Sequence, residues 1–337
     1  MFNNAIGFVL IDAPHSALNN AGQDAGARTE NAVVVKTIRK GREVYPYVSG
    51  QAWRYWWRNI LAEKFKWQLS PIIRETKIAF TAANPFLYPD DDIFGYMRAL
   101  KKNEGGTLTR LSPLKCSPLV SVYPQLPTDD FGVMARQEGD PVPFEHQFYS
   151  TTFKGIFSLD LERLGKFDEQ AKTGFKNLDK AYVEKDDIQN AIKESGATIV
   201  NGKYQLPKET RISRAQDAIK ALNYIYSTTK SASHLTDVTP KLVILAVIEG
   251  GNHIFMNITN SDYHKPLINI EALKQVIQDY KNIIKSKVYI GRQDGFLDEL
   301  KDRFQELKSE IGDEMIELCS PKTAIDNFAD ELKNYIE

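Results

Sequence analysis

Three tryptophans fall within residues 53–57, and they set the strongest constraint on what this chain can fold into. Trp53, Trp56, Trp57, Ile60 and Leu61 recur at the i, i+3, i+4, i+7, i+8 spacing that lines one face of an α-helix. Arg54 and Arg58 lie one turn apart on another face. Ser49, just ahead, is a hydroxyl residue of the type that caps helix N-termini. A face of three indoles and two aliphatic side chains has to be buried, so the helix needs an apolar layer to lie on.

The flanking sequence supplies that layer as strands. Residues 5–11 are apolar throughout and end at Asp12-Ala13-Pro14, the pattern of a buried strand running into a loop. Residues 32–38 turn β-branched, Lys40-Gly41-Arg42 resembles a hairpin tip, and residues 44–48 run back. After the tryptophan helix a strand is predicted near residues 72–81, then a Pro- and Asp-rich insertion through residue 106, then a β-rich stretch over residues 108–123. Residues 124–145 hold four prolines and read as an irregular segment, which inside a compact fold is usually functional or disordered.

Residues 148–161 alternate as a long strand, with Phe153, Ile156, Phe157, Leu159 and Leu161 as its apolar members. Residues 163–208 are charged and poor in aromatics, the signature of a peripheral helical insertion. Ala215, Ala218, Ile219, Leu222, Ile225 and Tyr226 then mark a second amphipathic helix, and residues 241–249 a central-type strand. Strand, helix, strand, strand, helix, strand is the ferredoxin-like order, an α+β fold with two helices on one face of an antiparallel sheet. The tail from residue 268 reads as mostly helical and highly charged.

Composition narrows the function classes. At 42% hydrophobic and 26% charged, the chain is that of a soluble globular protein. No apolar run reaches the ~18 residues of a membrane span, and residues 1–10 lack the pattern of a secretory signal, so a cytoplasmic protein is expected. Cys116 and Cys319 match no metal-ligand spacing, and neither do His15, His146, His234, His253 and His264, so no cofactor, zinc or disulfide is expected. No Walker loop, nucleophile elbow or dinucleotide glycine pattern is present. The net charge is −1, yet residues 1–60 carry seven Lys/Arg against four Asp/Glu, while residues 265–337 carry eleven against fifteen. One face can therefore be basic on a nearly neutral chain.

The start of the tryptophan helix is the natural place for an anion. Ser49 and Gly50 open the helix, Gln51 adds an amide in the first turn, and Arg54 and Arg58 add fixed charges. Arg28, Lys36, Arg39 and Lys40 precede it on a loop and ribbon, and such a series tracks successive phosphates of a single strand. Spacing alone equally allows an ordinary capped helix with its arginines in solvent.

A resemblance separates the two. His15-Ser16-Ala17-Leu18-Asn19-Asn20, Arg28-Thr29, and Tyr47-Val48-Ser49-Gly50-Gln51-Ala52-Trp53-Arg54-Tyr55-Trp56-Trp57-Arg58 resemble the DevR-type Cas-seven family, the backbone subunits of type I CRISPR Cascade complexes. Asp92-Ile93-Phe94-Gly95-Tyr96-Met97, residues 148–160 and residues 213–249 agree with it, so the resemblance runs over about the first 250 residues; type I-B is the nearest subtype. It implies an RRM-like palm with finger insertions, a thumb, and copies stacked head to tail on a guide RNA. The palm would comprise residues 1–83, 146–162 and 210–260, the fingers 84–110, the thumb 123–147, a charged insertion 163–210 and a helical C-terminal region 265–337.

The resemblance also implies a contact set for guide RNA. Ser49, Gly50, Gln51, Arg54 and Arg58 would grip the backbone, and His15, Asn19, Gln23, Arg28, Lys36, Arg39 and Lys40 would line the same groove. Met134 or Phe153 would be an apolar wedge against a base, although Phe153 reads equally as a core strand residue. Lys230, Ser231 and Ser233 would reach RNA or an adjacent subunit. The implied partners are guide RNA, a target DNA strand reached through the guide, further copies of the chain and other Cascade subunits, with no membrane. The RRM run Lys/Arg-Gly-Phe-Gly-Phe-Val-x-Phe is absent, so backbone grip rather than base stacking is expected, as suits a protein that accepts every guide sequence.

Two rival readings remain. Related type III subunits cut RNA with an acid in the loop before the equivalent helix, where this chain has Glu30 and Asp24, but a solvent-exposed loop carboxylate is the simpler reading and no catalytic residue is assigned. Asp90-Asp91-Asp92 follows a proline and is expected to cap or solvate a finger helix rather than bind metal. The second rival is a regulatory scaffold that self-associates without RNA.

Overall fold

The computed structural model describes all residues except 1, 24–31, 76–77, 100–105, 137, 171, 173–174 and 228–234. Its centre is a twelve-stranded sheet whose main path runs Ile316–Cys319, Val288–Arg292, Leu242–Glu249, Asn3–Ser16, Val142–Asp160, Leu119–Ser121, Glu43–Val48, Thr37–Lys40. The first strand, Asn3–Ser16, pairs antiparallel on both sides, with Ile6 opposite Ser158 on one flank and Ala246 on the other. The tryptophan helix, Gly50–Glu63, links the first strand to Leu119–Ser121, and helix Lys208–Lys220 links the long strand, Val142–Asp160, to Leu242–Glu249. The four strands thus lie in the order fourth, first, third, second, which is the split βαβ arrangement.

The first strand is a continuous apolar run because both of its faces are covered. Ala5, Val9, Ile11 and Ala13 point into a core with Trp53, Trp56, Trp57, Ile60, Leu61, Ala215, Ile219 and Phe328. Ile6, Phe8 and Leu10 point the other way, into a core closed by Phe255, Ile258, Leu273, Ile277, Phe304 and Leu307. Each indole of the helix removes about 150–250 Å² from water, which at roughly 25 cal/mol per Å² is a gross gain of about 4–6 kcal/mol. Trp57 meets the Phe157 ring edge-on at 5.3 Å and donates its indole N–H to the Ala218 carbonyl at 2.6 Å, tying the two helices together.

Several sequence expectations need correction. The strand near residues 72–81 is a separate ribbon, Ile72–Arg74 with Ala79–Thr81, and its place in the sheet is taken by Leu119–Ser121. Residues 124–145 are not irregular: Thr128–Met134 pairs with the start of the long strand from Thr128 opposite Phe148 to Met134 opposite Val142, as a β-hairpin. The tail does contain helices Ile270–Asp279, Lys301–Ile311 and Pro321–Glu331, but it also adds strands Val288–Arg292 and Ile316–Cys319 to the main sheet. The charged insertion holds two short helices, Lys180–Val183 and Asp186–Glu194, and a three-stranded sheet as well.

Candidate nucleic-acid interface

The edge ribbon, Thr37–Lys40 with Glu43–Val48, turns through Gly41-Arg42, and Gly41 takes the positive φ of +62° that such a tight turn requires. Arg39 and Lys40 are exposed on it, and the Lys40 ammonium lies 4.6 Å from the centre of the Tyr45 ring. Asn19 is tied to the same ribbon: its carbonyl accepts from the Lys36 amide at 3.1 Å, its side chain donates to the Tyr47 carbonyl at 3.4 Å, and the Lys36 carbonyl accepts from the Tyr47 amide at 3.0 Å. Between this ribbon and the foot of the hairpin opens a cleft of about 620 Å³, lined among others by Lys36, Arg39, Tyr47, Leu126, Asp129 and Gln147. Two of the cations expected from sequence therefore share one concave surface.

Two residues beyond Tyr47 the chain enters the tryptophan helix. The Ser49 hydroxyl accepts from the Ala52 amide at 3.3 Å, so this residue is the cap. The first-turn amides of Gly50 and Gln51 have no intrahelical partner, and the Gln51 side chain is exposed. Gly50 is packed on the Cys116–Ser117 backbone: a Cβ there would meet the Cys116 carbonyl oxygen at 3.4 Å. His15 stands where the first and long strands diverge, at a φ of +48°, exposed, with its amide donating to the Ser150 hydroxyl and its ring 6.0 Å from that of Phe148. Gln23 lies on the short strand Asn20–Gln23, opposite Val33. Arg28, Lys230, Ser231 and Ser233, together with the acids Asp24 and Glu30, lie outside the described residues.

The helix arginines are engaged within the fold. Arg54 donates from Nη2 to the Phe94 carbonyl at 2.6 Å and the Ser112 hydroxyl at 3.1 Å, and burial holds its pKa below the ordinary arginine value. Arg58 sits 4.4 Å from the centre of the Phe94 ring with Nε 3.5 Å from Asp90, and burial lowers its pKa against the opposing pull of Asp90 and Asp91. Both brace the turn that ends the short helix Pro89–Phe94, rather than standing in solvent. Phe153 is fully buried, edge-on to Tyr149 at 5.4 Å, so it is a core residue and cannot act as a wedge. Met134 is 57% exposed near the hairpin tip, and Phe131 and Val133 are exposed beside it.

Sequence reasoning missed Phe131, although Phe131 and Val133, two residues apart, mark one face of a strand. It also misplaced Asp90-Asp91-Asp92, which is buried rather than solvated. Asp90 accepts from the Ser70 amide at 2.9 Å, Asp91 from the Asn84 amide at 2.9 Å, and Asp92 from Arg110, Arg214 and the Gly165 amide. Among the described residues no three His, Cys, Asp or Glu side chains gather as metal ligands would. The hairpin, residues 128–147, carries five acidic side chains against Arg136, so what it exposes is Phe131, Val133 and Met134 among negative charge.

With strands, helix start and cleft in place, the family model described as CRISPR-associated negative auto-regulator DevR/Csa2 matches residues 13–266. The chain belongs to the DevR/Csa2 family. No curated protein matches it. Two solved structures share the DevR/Csa2 chain's fold at 12% identity. One, a CRISPR RNA-guided surveillance complex, has a TM-score of 0.52 over 97% of this chain and 98% of its own. The other, a CRISPR RNA-guided surveillance complex in a pre-nicking state, has a TM-score of 0.60 over 97% and 99%. The family match stops at residue 266, so the strands and helices that follow are read from this chain's own residues. Among the described residues no helix is long and apolar enough to cross a membrane.

Proposed function

We propose that this DevR/Csa2 chain is a non-catalytic, guide-RNA-binding backbone subunit of a type I CRISPR Cascade complex in the cytoplasm. The observation that carries the reading is the cleft of about 620 Å³ in which Lys36 and Arg39 stand together with Tyr47, itself two residues before Ser49, the cap of the tryptophan helix. Cations on the ribbon and free amides at Gly50 and Gln51 suit successive phosphates, which position a strand without reading its sequence. The sheet face used for base stacking in RNA-recognition modules is covered over its first-strand half by Phe255, Ile258, Leu273 and Ile277, which favours a grip on the backbone. Such a grip leaves the bases free to pair with a target DNA strand.

The acidic hairpin with its exposed Phe131, Val133 and Met134 is the thumb of this reading. It meets bases of the RNA held by a neighbouring copy, so that copies stack head to tail and further Cascade subunits close the ends. The test is purification from a heterologous host with the bound nucleic acid sequenced. Wild type carries RNA, and Lys36→Glu/Arg39→Glu loses it while keeping its thermal midpoint. An RNA-free, stably oligomeric wild type overturns the reading.

A further inference from the structure

The other end of the sheet holds a second concavity. Strands Val288–Arg292 and Ile316–Cys319 are parallel, with helix Lys301–Ile311 in the crossover between them. In parallel α/β sheets ligands collect outside the carboxyl ends of the strands, and this parallel pair presents such an end at the margin of an otherwise antiparallel path. Here those ends, Arg292 and Cys319, wall a pocket of about 470 Å³, within the ~300–1,000 Å³ of small-molecule sites. Ile290, Phe304, Leu318 and Ile325 make its apolar floor.

The polar groups divide by task. Arg292 is spent on the wall: it donates to the Gln293 and Phe296 carbonyls at 2.9 and 3.0 Å, to Asp294 at 2.8 Å and to Asp298, which fixes the loop after the strand. Lys322 pairs with Asp326 at 2.7 Å. Lys301 has no ion pair among the described residues, and Gln293 and Gln305 stand exposed on the rim. The mouth thus offers primary amides, each with a donor and an acceptor, beside the Lys301 ammonium over an apolar floor.

We propose that this pocket binds a nucleotide, its flat base over the apolar floor, its edge on the Gln293 and Gln305 amides, and its phosphate at Lys301. A sugar would leave the apolar floor unused. The same chemistry is offered by a free mononucleotide or by the phosphorylated end of a single strand. The pocket and the ribbon cleft lie at opposite ends of the sheet, so the proposal stands or falls apart from the guide-RNA reading.

The chain's two thiols make the test. Cys319 lines the pocket, whereas Cys116 packs on Gly50, and burial pushes both up to about 11. Alkylation of the full chain by N-ethylmaleimide is followed site by site by mass spectrometry. With AMP at millimolar concentration, Cys319 is expected to react at least fivefold more slowly while Cys116 is unchanged, and Lys301→Glu removes that protection at an unaltered thermal midpoint. Protection by AMP assigns the free nucleotide, and protection by a 5′-phosphorylated oligonucleotide alone assigns the strand end. No slowing with either probe, equal slowing by adenosine or by inorganic phosphate, or protection that survives Lys301→Glu overturns the proposal.

Discussion

Arg214 donates to Asp92 across 2.7 Å with both side chains buried, and this single carboxylate joins four separate stretches of chain. Asp92 sits on the helix Pro89–Phe94, Arg214 on the helix Lys208–Lys220, Arg110 on the strand Thr107–Arg110, and the Gly165 amide at the base of the charged insertion. Removing one partner of a buried pair leaves the other charge uncompensated. Asp92→Ala is therefore expected to cost roughly 3–5 kcal/mol in urea unfolding, and Asp92→Ala/Arg214→Met less than the sum of the two single changes. Simple additivity would show that the pair is not coupled.

Gly7 carries a second packing prediction. A Cβ at this position would lie 2.2 Å from the Phe157 ring, whose edge is already fixed against Trp57. Gly7→Ala is expected to cost about 1–3 kcal/mol or more through overpacking. Gly7→Ala/Phe157→Leu recovers part of that loss if the ring is the obstacle, and an undiminished loss in the pair places the strain elsewhere.

How much of this was legible in the sequence depended on separation along the chain. The tryptophan helix was readable down to Ser49 because its cap and its apolar face are local patterns. Arg54 and Arg58 were readable as charges but not as braces, since Phe94 and Ser112 lie 40 and 58 residues from Arg54. Asp92 finds its partners 18, 73 and 122 residues away, and three successive aspartates look solvated until those partners arrive. In the sequence the hairpin reads as irregular because prolines argue against a strand. Pro143 is tolerated there because Thr128–Met134 and the start of the long strand form an arm at the sheet margin, where a missing N–H costs little. The ribbon cations were visible as residues, whereas their shared cleft depends on Leu126 and Gln147 folding against them.

Asp91 makes stability depend on pH. Burial pushes its carboxyl up to about 6, helped by the neighbouring Asp90 charge, while hydrogen bonds from Thr81, Ser70 and the Asn84 amide oppose the shift. A folded-state value above the unfolded one means that the folded protein binds more protons between about pH 4 and 6. The Asp91 contribution therefore falls as pH rises through that window and is level above it. Asp91→Asn is expected to flatten the urea stability profile between pH 4 and 6 and to raise stability at pH 7. An unchanged slope would mean that Asp91 titrates as an ordinary carboxyl.

The hairpin separates assembly from folding. Phe131→Ala/Met134→Ala alters side chains that are 62% and 57% exposed, so the fold is expected to change by no more than about 0.5 kcal/mol per site. On the thumb reading, the double variant still binds a short RNA but forms shorter arrays on a long one, as measured by mass photometry. Arrays of wild-type length would remove the wedge role from these residues.

On the guide-RNA reading, salt dependence distinguishes the cations that touch phosphate from those that brace the fold. Each phosphate contact to a single strand contributes about 0.7 to the slope of log K against log salt. Lys36→Ala and Arg39→Ala are each expected to reduce the slope by that amount at an unchanged thermal midpoint, because their charges face an open cleft. Arg54→Ala is expected to do the reverse: it removes the donor to the Phe94 carbonyl and to Ser112, lowers the midpoint and leaves the slope unaltered. A slope that falls with Arg54→Ala would mean that this guanidinium leaves Phe94 to reach RNA, turning a brace into a contact made only in the complex.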